Sequence, residues 1–300
     1  MELAGTTVAV TGATGFLGRY IVRVLAARGA RVVGVVRNPA RVPELARVCL
    51  ALRPADLADV DALTRGFEGA AAVVSNAALL PVRNWRAVDH ERTNVQGTEN
   101  VLRAAAAAGV RRVVHVSLVS VYRGGGSGPT TEDRPFATER GWFGHAYGVS
   151  KARAEMRAWA LADELGLQLT TLRPCAIYGA FDTNLTALLR MLLTPPVTVV
   201  PVGVHLPMVY AGDVAEAVAL ALEREASIGR AYNVTDDAGT LWSFCDAWRA
   251  AGGPAPRLVL PLPLPFARRF DSSRARAELG WRPRSFLEAL RETFALESGG

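Results

Sequence analysis

The stretch Thr7 to Gly18, Thr-Val-Ala-Val-Thr-Gly-Ala-Thr-Gly-Phe-Leu-Gly, constrains this chain more than any other. A β-rich apolar run, Thr7 to Thr11, leads into three glycines spaced three apart, and Ile21, Val22, Leu25 and Ala26 then recur at helical spacing. The pattern predicts strand, glycine turn and helix. Glycines there let the backbone turn tightly and approach a pyrophosphate, whose charge sits at the helix N-terminus. An ordinary β-turn-α connection shares the outline, but the glycine spacing in this context favours a nucleotide, with Gly12, Ala13, Thr14, Gly15, Phe16 and Leu17 as candidate contacts.

Strand and helix patterns then alternate. Arg31 to Val36 reads as the second strand, ending in Arg37-Asn38-Pro39 where dinucleotide sites carry a carboxylate for the ribose. A cation there suits a 2′-phosphate, which favours NADP(H) over NAD(H); an exposed arginine before a proline turn is the plainer alternative. A short strand near Cys49 to Leu52 precedes Asp56 and Leu57, which fit either an adenine contact or the approach to a helix starting at Asp59. Ala70 to Ser75 is a further strand, and Asn76, Ala77 and Ala78 follow at the carboxyl edge, where open parallel sheets bind ligands.

An alanine-rich helix is expected over Asn94 to Ala108, closed by Gly109, then a strand over Arg112 to Ser117. The segment from Arg123 through Gly144, Gly-rich at its start, suits either a substrate cover or a surface connection. A helix from Tyr147 to about Leu165 and a strand over Thr170 to Leu172 follow. The fold class is α/β, a doubly wound parallel sheet. Residues 1–178 are expected to form the dinucleotide-binding core, and 179–300 a smaller lobe interleaved with the sheet. That lobe holds helices at Leu185 to Leu193 and Asp213 to Glu223, and Pro254 to Pro265 reads as punctuation.

Tyr147 and Lys151 stand four residues apart, on one helix face. Of the 34 Lys plus Arg residues, Lys151 alone is lysine. A guanidinium serves most exposed cation sites but replaces a compact ammonium beside a phenol poorly. A phenol of pKa about 10 is a weak proton shuttle at neutral pH; a nearby ammonium favours the phenolate and lowers that value.

With 50% hydrophobic and 21% charged residues the chain reads as an ordinary globular protein. Met1 to Val10 lacks a basic leader and no apolar run approaches a membrane span, so a cytoplasmic location without membrane contact is expected. Cys49, Cys175 and Cys245 are odd in number and widely spaced, and His90, His115, His145 and His205 are dispersed, which supports neither a disulfide framework nor a metal site. The net charge of +6 comes from scattered arginines, which argues against nucleic acid and suits a small anionic ligand.

Together with Asn94-Val95-Gln96-Gly97-Thr98, Leu172-Arg173-Pro174, Gly212-Asp213-Val214-Ala215, Tyr232-Asn233-Val234 and Glu278-Leu279-Gly280-Trp281-Arg282-Pro283, these motifs run in order over nearly the full length. The chain resembles the extended short-chain dehydrogenase/reductases. The resemblance implies a Rossmann core with a C-terminal substrate lobe. Tyr147 would be the general acid/base, Lys151 would tune it and hold the nicotinamide ribose, and Asn94 would support a proton path through water. It also implies cofactor contacts at Ser117, Pro174, Ala176 and Ile177.

Two departures stand out. Leu118 occupies the position of the Ser or Thr that usually bonds the substrate oxygen; Ser120 is the candidate substitute, while Ser117 would face the cofactor or the strand's own hydrogen bonds. Leu206 stands where related epimerases carry an arginine for a sugar diphosphate, which suggests an apolar pocket drawn from Leu79, Leu80, Pro81, Leu188, Leu192, Pro196 and Met208, each of which fits a core position better when taken singly, with Arg190 as an anion contact. The expected function is an NADP(H)-dependent oxidoreductase interconverting a ketone and a secondary alcohol on an apolar small molecule. A nucleotide-sugar epimerase or dehydratase, and a non-catalytic NADP-binding sensor or scaffold, are the alternatives. The Asn94 and Tyr147 helices would suit either a homodimer or an intramolecular core.

Overall fold

Strands β1 (Thr7–Thr11), β2 (Arg31–Val36), β3 (Ala51–Pro54), β4 (Ala72–Ser75), β5 (Arg112–Val116) and β6 (Gln168–Pro174) are short and rich in valine. A computed structural model describes residues 1–81, 86–124, 128–137, 146–202, 205, 207–236, 239–263 and 269–298. Beyond β6 come β7 (Ala176–Tyr178), β8 (Val197–Val202), β9 (Met208–Tyr210), β10 (Arg230–Val234) and β11 (Leu258–Pro263). Seven of these form one sheet in the order β10-β6-β5-β4-β1-β2-β3, every pairing parallel. This is the expected Rossmann-like sheet.

Its strands are buried on both faces because helices cover both, so they read as continuous apolar runs. Val8, Val10, Val32 and Val74 pack toward α1 (Phe16–Ala27) and α7 (Ala211–Glu223). Ala9, Val33, Val73 and Val113 point the other way, into a core built with α2 (Val60–Phe67), α4 (Gly97–Ala107) and α5 (Ala146–Glu164). The period of two along each strand feeds both cores. Further helices are α6 (Leu185–Leu193), α8 (Leu241–Ala250) and α9 (Phe286–Ser298).

Two sequence expectations need correcting. The helix expected from Asn94 begins earlier, as α3 (Ala87–His90), passes through a π-helical turn, Glu91–Gln96, and continues as α4. Pro254 to Pro265 is not only punctuation, since β11 lies within it and pairs with β8. A two-stranded ribbon has only edge strands, where proline is tolerated. Of the residues offered for an apolar pocket, each of which also fits the core, Met208 is 1% exposed and belongs to the core. Leu206, His145 and, within the segment from Arg123 to Gly144, residues 125–127 and 138–144 lie outside the described residues.

Candidate active site

The carboxyl ends of β1 and β4 meet where the strand order reverses, the place at which such sheets bind ligands. Thr11 builds the junction. Its hydroxyl donates to the Val74 carbonyl (3.3 Å) and accepts from the Asn76 and Ala77 amides (3.1 and 3.3 Å). Asn76 Nδ2 donates to the Gly12 carbonyl at 3.4 Å. Gly12 has φ +67°, and a Cβ there would stand 2.8 Å from the Ala77 Cα. A Cβ on Gly18 would stand 2.0 Å from the Gly12 carbonyl oxygen, so both glycines are required by close backbone approach. Gly15 caps α1 with no side-chain bond, and no acidic residue lies in the first turn, which leaves the helix N-terminus suited to an anion. Ala13 is buried, Leu17 nearly so, and Phe16 packs edge-on against Tyr20.

Arg37 is exposed just past β2 and forms no ion pair with a described residue. Asp56 is exposed and accepts the Ala58 amide at 2.9 Å, while Asp59 caps α2 by accepting the Ala62 amide. Leu57 is half-buried and packs against Gly97. Pro174 ends β6, and Ala176 and Ile177 open β7, again at the carboxyl edge.

Lys151 is 3% exposed and donates from Nζ to the Val116 carbonyl at the end of β5 (2.9 Å). Burial pushes it down to about 8, and the negative charge of Glu155 opposes that. Tyr147, one turn earlier, is half-buried, and burial pushes its phenol up to about 12. Desolvation of the phenolate opposes the lowering expected from a neighbouring ammonium. His115 is held neutral, well below the usual imidazole range, first by burial and then by the Lys151 charge; its Nδ1 lies 3.2 Å from Ser75 Oγ.

Asn94 sits in the π turn and is 1% exposed. Its Oδ1 accepts the Leu79 amide at 2.8 Å, and its Nδ2 lies 3.0 Å from Ser150 Oγ, 3.3 Å from the Leu79 carbonyl and 3.3 Å from His90 Nδ1. Ser150 Oγ in turn donates to the Tyr147 carbonyl at 2.8 Å. Asn94 thus fastens the segment after β4 to the first turn of α5. Ser117 is buried, with its amide bonded to the Leu172 carbonyl and its Oγ without a partner among the described residues. Ser120 is half-buried in a single 3₁₀ turn, Val119–Val121, that packs against α5; Leu118 caps that turn.

Residues 8–235 match the NAD dependent epimerase/dehydratase family. The chain belongs to this family. Among its relatives, sterol demethylase protein B of Methylococcus capsulatus is 30% identical, the alignment covering 96% of this chain and 97% of that one. A ketoreductase of Stigmatella aurantiaca, acting on a farnesylated dihydroquinoline oxide, is 32% identical over 76% of this chain and 68% of that one. Cinnamoyl-CoA reductase 1 of Petunia hybrida is 34% identical, but the match spans only 59% of this chain and 56% of that one. Among solved structures, gox2253 superimposes with TM-score 0.81 at 28% identity, covering 99% of each chain. UDP-N-acetylglucosamine 4-epimerase of Bacillus cereus gives 0.82 at 24% identity, covering 99% and 98%, which shows the shared fold.

One part of this family member's site went unread in the sequence. Glu155, four residues past Lys151, is fully buried; its Oε1 accepts from Arg173 Nε and Nη2 (2.9 and 2.6 Å) and from Trp159 Nε1 (3.3 Å). Arg173 Nη1 donates to Tyr122 Oη (2.8 Å) and the Glu132 carbonyl (3.0 Å), and Tyr122 Oη donates to Asn233 Oδ1 (2.5 Å). Asn233 Nδ2 donates to the Thr130 and Asp271 carbonyls, while its amide donates to Glu132 Oε1. The i, i+4 step from Lys151 to Glu155 and the arginine of Leu172-Arg173-Pro174 were the available signals. Among the described residues no cluster of His, Cys, Asp and Glu could hold a metal ion, and no helix is long and apolar enough to cross a membrane.

Proposed function

We propose that this chain is an NADP(H)-dependent oxidoreductase that interconverts a ketone and a secondary alcohol on an apolar small molecule. The observation that carries the reading is the placement of Lys151, buried and bonded to the end of β5, one helical turn from a half-buried Tyr147. The cofactor fits the residues present. The backbone around Gly12 and Gly18 admits no side chain, the α1 N-terminus suits a pyrophosphate, and exposed Arg37 suits a 2′-phosphate. Bound nicotinamide supplies hydride to the carbonyl carbon or takes it from the alcohol.

The chain's own groups handle the proton. Tyr147 Oη donates it to the carbonyl oxygen in reduction and accepts it in oxidation, Lys151 stabilises the phenolate, and Ser120 is the accessible hydroxyl for polarising the carbonyl. The ketoreductase and sterol-protein relatives support an apolar substrate. Three free cysteines suit a reducing, cytoplasmic setting.

The test is NADPH consumption with a panel of apolar ketones. Turnover is expected, and Tyr147→Phe should lower kcat by roughly 10²–10⁴-fold while NADPH binding persists. Binding of NADPH with no ketone consumed, or full turnover by Tyr147→Phe, overturns the reading. Competition by a nucleotide sugar would point to epimerase chemistry instead.

A further inference from the structure

We propose that Glu155 and Arg173 are positioning residues for Lys151: the buried carboxylate keeps the ammonium charged, and the guanidinium fixes that carboxylate to the segment around Glu132. The inference rests on the reading that charged Lys151 serves Tyr147. An ammonium with 3% exposure has lost most of its hydration, which drives it toward the neutral amine. Its compensations are the Val116 carbonyl at 2.9 Å and the negative charge of Glu155 one turn along α5.

The other charged and titratable groups that bear on it are neutral His115 on β5, Arg173 on β6, and Tyr147 on its own helix. None of these supplies negative charge while the phenol is protonated. Two N–H groups of Arg173 pair with Glu155 Oε1, while Oε2 is buried with no hydrogen-bond partner among the described residues. Charge therefore alternates inward from Arg173 to Glu155 to Lys151. The same guanidinium reaches the Glu132 carbonyl and, through Tyr122, Asn233, so the carboxylate is referenced to residues 130–132 as well as to β6.

Lys151 is the only lysine in the chain, so protein labelled with [ε-¹³C]lysine gives one side-chain signal whose titration reports this ammonium directly. In the wild type the midpoint is expected at about 8, near the value burial and Glu155 set together. Glu155→Gln should move it down by ~0.5 unit or more. Because that variant leaves a buried guanidinium unpaired, the double variant Glu155→Met, Arg173→Met is measured beside it. Removing both charges with apolar side chains of similar length is tolerated far better than breaking the pair, and the midpoint should fall there too.

A wild-type midpoint below neutral pH, or an unchanged midpoint in a folded variant, overturns the proposal. The alkaline limb of NADPH-dependent turnover should move down with the lysine signal, which a merely structural role would not produce. A lysine signal that shifts while no ketone is turned over supports the positioning role and counts against the oxidoreductase reading alone.

Discussion

At Leu118 the backbone is extended, with φ −166° and ψ 161°, and its half-buried side chain packs against the core just before the 3₁₀ turn. In the proposed ketone reduction an isobutyl group offers no donor to the carbonyl oxygen, which leaves Tyr147 and Ser120 as the proposed donors. Leu118→Ser is expected to raise kcat for ketone reduction by ~10-fold or more, since a single oxyanion donor is worth about 10²–10³ in kcat elsewhere. Steady-state NADPH consumption measures it, and an unchanged kcat would show that Ser120 already fills the role. Tyr147 and Lys151 were legible in the sequence because their spacing implies a shared helix face. Thr11 was not. Its hydroxyl joins β1 to the segment after β4, 63 to 66 positions along the chain, and no local pattern encodes a bond of that reach.

The elements that sequence located best are those whose periodicity is unbroken: β1, β2 and α6 begin and end where the patterns predict. The region around Asn94 shows why others resist. A π turn adds a residue per turn and so breaks the 3.6-residue repeat, which hid the N-terminal start at Ala87. That turn places Asn94 against both the Leu79 backbone and Ser150. Asn94→Ala should therefore leave the Leu79 amide without its side-chain acceptor and lower stability by about 1–3 kcal/mol. Urea unfolding would measure it, and a change much below that would mean water replaces the amide group. The ribbon of β8 and β11 was equally hidden, because prolines at 261 and 263 argue against a strand unless the strand is known to be an edge.

Over the whole molecule, the N-terminus and the segment before α9 converge on α7. The Met1 amino group donates to the Leu222 and Glu223 carbonyls (3.3 and 3.1 Å), and Arg28 of the segment after α1 pairs with Glu216 and Glu223. At the other end of α7, Asp213 accepts from the Arg284 guanidinium and, at 2.9 Å, from the Arg284 amide, while its carbonyl accepts the buried Trp281 Nε1 at 2.8 Å. Sequence showed Asp213 and the Trp281 segment as separate motifs; only packing reveals them as one clamp. Burial pushes Asp213 up to about 6, with Arg284 opposing.

The folded pKa of Asp213 thus lies above its unfolded value near 3.9, and between the two the native state binds more protons than the unfolded chain. Stability linked to protonated Asp213 is present below the lower value and is lost as pH rises through the higher one. Asp213→Asn removes this titration and retains a hydrogen-bonding side chain of similar size. The wild type's stability relative to that variant should therefore fall by about 1–3 kcal/mol between roughly pH 4 and pH 6, read from urea unfolding at both values. A relative stability that rises over this window would show instead that the Arg284 pair outweighs desolvation at the clamp, which reverses the sign because a paired carboxylate is held below its unfolded pKa.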